Sequence, residues 1–99
     1  MAKKLRVLIA CGTSIATATH VAHTVQETAR AAGIEIETAQ CKAAEIRGKI
    51  QTFTPHLIVH TTPIPADLGV PAFNGIPFLS GIGIDKLKAQ IIEALKAAQ

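Results

Sequence analysis

The sequence contains no tryptophan and no tyrosine, three phenylalanines, one methionine and two cysteines. These shortages exclude several kinds of protein. Binders of single-stranded nucleic acid stack bases on aromatic rings, and here Phe53, Phe73 and Phe78 all lie in apolar surroundings. The net charge is +3, but Lys3, Lys4, Arg6, Arg47, Lys49, Lys86, Lys88 and Lys96 are spread along the chain. A nucleic-acid footprint needs clustered charge, so no nucleic-acid partner is expected. A mild positive balance suits phosphorylated or acidic partners instead. Long hydrophobic runs are missing too. The first apolar run, Val7 to Ala10, is too short for a signal-peptide core or a bilayer span. The chain is therefore expected to be cytoplasmic and not membrane-inserted. Two cysteines in that compartment are expected as thiols, with a catalytic or buried role. Charged residues are only 17% of the chain and hydrophobic residues 48%, a balance that disordered chains do not have. A length of 99 residues allows one domain, spanning 1–99.

What is present is an alternation of strand and helix patterns. Leu5 to Ala10 reads as a strand buried on both faces, followed by a tight turn, Cys11-Gly12-Thr13-Ser14. A long helix is predicted from Ile15 to Ala32 and ended by Gly33. Its apolar stripe is Ala18, Val21, Ala22, Val25, Ala29 and Ala32, with His20, His23, Glu27 and Arg30 on the other face. Ile34 to Cys41 reads as a second strand, and Ala43 to Phe53 as a helix with Ala43, Ile46, Ile50 and Phe53 inward and Pro55 past its end. Leu57 to His60 is a third strand. Pro63, Pro65, Gly69 and Pro71 mark a loop, and Ile76 to Leu79 is assigned as a fourth strand, placed at an edge because Pro77 cannot serve a central one. Ile84 to Ala98 is the last helix, with Ile84, Leu87, Ile91, Leu95 and Ala98 as its stripe. The order βαβαβ-loop-βα predicts an α/β fold, a doubly wound four-stranded parallel sheet with helices on both faces.

Open parallel sheets bind ligands at the carboxyl ends of their strands. The first strand ends at Cys11, and a helix starts a few residues later. Amide groups at a helix start converge on one concavity, and the helix dipole adds positive charge, so this turn suits a phosphate. Gly12 lets the backbone come close, and Thr13, Ser14 and Thr17 can add hydroxyl hydrogen bonds. The same field favours the thiolate of Cys11, the nucleophilic form. The candidate catalytic residue is thus Cys11. The candidate phosphate-binding stretch is Gly12, Thr13, Ser14, Ile15, Ala16 and Thr17, with no metal or cofactor called for. A cysteine phosphatase of this architecture would close the loop as C-x5-R, but the position six after Cys11 is Thr17. Without that arginine, charge stabilisation for attack by water is weaker. A loop that binds phosphate but hydrolyses it poorly suits a carrier.

The stretch Val7 to Thr17 resembles the phosphorylation loop of phosphotransferase-system IIB proteins of the galactitol branch. Gln40-Cys41 followed by a charged residue, and Gly75 to Ile84, resemble the same branch. The resemblance covers essentially the whole chain. It implies a four-stranded parallel sheet and a phosphocysteine carrier. Cys11 would accept phosphate from a phosphohistidine of a IIA partner and pass it to a sugar or polyol, galactitol or a related one, bound in a IIC membrane permease. The protein would then be cytoplasmic and peripheral to the inner membrane through that permease. Two other readings stay open: a cysteine phosphatase or arsenate-reductase-like enzyme, and a non-catalytic regulatory domain of the same fold.

The remaining polar residues have plainer readings. His20 and His23 belong to a solvated helix face that continues through Glu27 and Arg30. His60 ends the third strand on the edge expected for Cys11, Asp67 lies in the loop after it, and His56 beside Pro55 reads as surface. Cys41 is the structural one of the two cysteines. It ends the second strand as Cys11 ends the first, which raises a disulfide between them as a hypothesis.

Overall fold

The computed structural model describes residues 5–11, 15–62, 64 and 68–98. Strand β1 is Leu5–Cys11, helix α1 is Ile15–Ala31 and strand β2 is Ile36–Lys42. A single 3-10 turn, Ala43–Glu45, leads into helix α2, Ile46–Phe53, and strand β3 is Leu57–His60. Strand β4 is Ala72–Asn74, the short helix α3 is Pro77–Ser80 and α4 is Ile84–Ala98. All three strand pairings are parallel, and the sheet order is β2-β1-β3-β4. The predicted doubly wound parallel sheet is therefore what forms.

Strand alternation explains how β1 serves two layers. Leu5, Val7 and Ile9 face one side, where α1 lays down Val21, Val25 and Ala29 and α4 lays down Leu87, Ile91 and Leu95. Leu8 and Ala10 face the other side, where Ile46 of α2 and Ile58 of β3 meet them. Ile50, Phe53, Ile64, Leu68 and Val70 pack onto that second cluster. Both faces are thus covered, as the near-continuous apolar run of β1 requires.

The helix ends follow local chemistry. Gly33 adopts φ +76°, its N–H donates to the Arg30 carbonyl and the Ile34 N–H donates to the Ala29 carbonyl. This is the left-handed cap that glycine favours, and Ile34 after it is buried. Thr54 closes α2 at φ +49°, with Pro55 following.

Four expectations need correction. The fourth strand is Ala72–Asn74, not Ile76 to Leu79. Pro77 instead opens α3 at its first turn, where a missing N–H costs nothing and a fixed φ already suits a helix. The fourth strand does lie at an edge, since among the described residues β4 pairs with β3 alone, but Pro77, on which that expectation rests, belongs to α3. The second helix begins as a 3-10 turn, and Ala98, assigned to the last stripe, is exposed. His56 is half-buried, not a surface residue. Its ring Nδ1 accepts from the Arg6 backbone N–H at 3.0 Å, and the His56 backbone N–H donates to the Arg6 carbonyl at 2.8 Å, so it ties the start of β1 to the link between α2 and β3.

Candidate functional site

Because every pairing is parallel, all four strands end at one edge of the sheet. Those ends are Cys11, Lys42, His60 and Asn74. The register fixes their neighbours. Ala10 stands opposite Cys41 on one side and His60 on the other, and Cys11 stands opposite Lys42. The Thr61 N–H donates to the Ala10 carbonyl at 3.1 Å, carrying the ladder one residue beyond β3.

Cys11 closes β1, and α1 opens at Ile15. The first turn of α1 contains no acidic residue. An acid there would repel an anion from the donors at the helix start. Ile15, Ala16 and Thr17 occupy that first turn, so the backbone of the predicted phosphate-binding stretch enters the helix as expected. Gly12, Thr13 and Ser14, the rest of that stretch, lie outside the described residues, as does Asp67.

Other residues take the places their patterns suggested. His20, His23, Glu27 and Arg30 are all exposed, and His23 Nε2 lies 2.9 Å from Glu27 Oε1 one helical turn on. His60 is half-buried with Nδ1 3.0 Å from the Thr62 carbonyl oxygen. A carbonyl only accepts, so that nitrogen carries the proton and the ring is held to its own loop. Cys41 packs against the cluster of Leu8, Ala10, Ile46 and Ile58, as a structural cysteine does. It stands opposite Ala10, one residue out of register with Cys11.

Two strand-end residues escaped the sequence reading. The sequence pattern ends the second strand at Cys41 and so shows Lys42 as the charged residue after it and not as a strand end, while β4 is too short for alternation to mark Asn74. Asn74 Oδ1 accepts from the Ile76 N–H at 2.9 Å, which turns the chain from β4 toward α3.

The family of lactose/cellobiose-specific IIB subunits of the phosphotransferase system matches residues 6–96. The chain belongs to the phosphotransferase-system IIB components. It is 41% identical over 86 residues to SgcB of Escherichia coli K12, which carries the name of a phosphotransferase enzyme IIB component, covering 87% of this chain and 91% of that one. It is 34% identical over 94 residues to the galactitol-specific EIIB component of the same strain, covering 94% of this chain and 98% of that one. Among solved structures, the lactose-specific IIB domain of Streptococcus pneumoniae superposes with a TM-score of 0.56 at 18% identity, covering 97% of this chain and 95% of that one. That likeness is one of fold. A IIB component is a phosphotransferase subunit of sugar transport and implies IIA and IIC partners. Among the described residues, no helix of this IIB component is long and apolar enough to cross a membrane.

Proposed function

We propose that Cys11 is the phosphoacceptor of this IIB component, with the backbone from Gly12 to Thr17 holding the phosphoryl oxygens. One observation supports this reading above the others. A cysteine ends a strand flanked on both sides by parallel partners, at the carboxyl edge, just before a 17-residue helix with no acid in its first turn.

The chemistry is two in-line transfers. The Cys11 thiolate attacks the phosphorus of a phosphohistidine on IIA. An S–P bond forms as the N–P bond breaks, and the imidazole leaves with the bonding pair and takes a proton from solvent. In the second step a hydroxyl of the sugar or polyol in IIC attacks the phosphocysteine. An O–P bond forms, the S–P bond breaks, the hydroxyl proton passes to a base of the permease or to water, and the thiolate is restored. Amides at the helix start stabilise the charge spread over the equatorial oxygens in both steps. The acceptor is galactitol or a related polyol, a reading supported by relatives whose names specify galactitol. The protein works in the cytoplasm and meets the membrane through IIC.

Incubation with phosphoenolpyruvate, the general phosphotransferase proteins and the cognate IIA tests the assignment. Peptide mass spectrometry should find one phosphate, on Cys11, and none in Cys11→Ser. Phosphate on His20, His23 or His60 instead would overturn it, as would rapid hydrolysis of a chromogenic phosphomonoester.

A further inference from the structure

The phosphoryl group carried by a IIB component is a dianion, and the loop that follows Cys11 has no cation to meet it. The position where a phosphatase loop has arginine is Thr17. The sheet supplies a cation from elsewhere. Cys11 and Lys42 are the last register pair of the β1–β2 ladder. Neighbouring strands are about 4.8 Å apart, and residues in register share a face. Cys41 belongs to the α2 side of the sheet, so Lys42 falls on the α1 side, beside the strand end from which the chain passes to α1.

We infer that Lys42 is the electrostatic partner of Cys11, favouring its thiolate and then its phosphorylated form. This rests on Cys11 being the phosphoacceptor. Lys42 is exposed, and among the described residues no carboxylate pairs with its ammonium group. Glu45, the nearest acid along the chain, has its carboxylate turned to the Lys42 backbone N–H at 3.4 Å. Among the described residues, titratable groups at this edge are Cys41, packed on the α2 side, and His60, held to the Thr62 carbonyl. Lysine is well suited to the task. Its compact point charge steadies a phosphoryl group without the bidentate clamp with which arginine supports water attack. Lysines also sit on edge strands simply to keep them from pairing with other chains, and β2 is an edge strand.

The rate of alkylation by iodoacetamide, followed across pH at the Cys11 peptide by mass spectrometry, separates the two roles. Mapping by peptide keeps Cys41 out of the reading. In Lys42→Gln the pH of half-maximal reactivity should rise by about 0.5–1. Lys42→Arg should restore it, and Lys86→Gln on α4 should leave it unchanged. Raising salt from about 0.05 M to about 0.5 M should shrink the difference between wild type and Lys42→Gln, because an exposed pair is screened. Lys42→Gln should also shorten the lifetime of the phosphocysteine several-fold. If Lys42→Gln matches wild type in both pH profile and lifetime, Lys42 only guards the edge and the inference is wrong. If phosphate maps away from Cys11, the proposed phosphoacceptor fails, and the alkylation profile alone still decides whether Lys42 acts on the thiol.

Discussion

Gly75 shows how tightly one residue can be seated beside the site. Its N–H donates to the His60 carbonyl at 2.6 Å, and a Cβ added there would lie 2.8 Å from Val59 Cγ1. A contact that short has to be relieved by moving Val59, itself fully buried, or the backbone of β3. Gly75→Ala should therefore cost about 1–3 kcal/mol. A thermal melt should record it as a drop of about 4–8 °C per kcal/mol. An unchanged Tm would mean that the β3 seat yields freely. Residue-scale legibility was uneven for similar reasons. Cys11 stood out because strand end, hydroxyl-rich turn and long helix are consecutive in the sequence. Lys42 did not, because its place beside Cys11 is a matter of ladder register between distant segments. Nothing beside Pro55 announces that the His56 ring accepts a hydrogen bond from Arg6, which is remote in sequence.

Among the elements, those with several turns or a full strand of consistent pattern could be read directly. The limits of α4 and β3 match the periodicity, and α1 ends at Ala31, one residue before the expected Ala32, with Gly33 capping it. The failure was at residues 72–80. Ile76 to Leu79 is apolar enough to imitate a strand, but its proline favours a helical first turn, and the three-residue strand before it carries no legible alternation. The α4 stripe offers the clearest energetic test. Ile91 and Leu95 are fully buried against α1 and the sheet. Truncating either to alanine should destabilise by about 2–5 kcal/mol, measured by urea unfolding. Ala98→Ser, at the exposed end of the same helix, should change stability by less than about 0.5 kcal/mol. Equal effects would contradict the burial assigned to α4.

At the scale of the whole molecule, stability should grade outward from β1. That strand has a hydrogen-bonded neighbour on each side and a helical layer on each face, whereas β4 is three residues long with one neighbour. Native-state hydrogen exchange should find the amides of Leu8 and Ile9 opening only with global unfolding, and that of Phe73 exchanging through smaller fluctuations. Comparable protection at β1 and β4 would refute this ordering. The nucleophile assigned to Cys11 thus hangs from the most firmly held segment of the chain.

The two layers are unequal. Among the described residues, fifteen buried ones form the cluster under α1 and α4, and four form the one under α2. Accumulated change over evolutionary time therefore has an open side and a guarded one. Substitutions on the α2 surface outside Leu8, Ala10, Ile46 and Ile58 should disturb less buried packing than substitutions on the opposite flank.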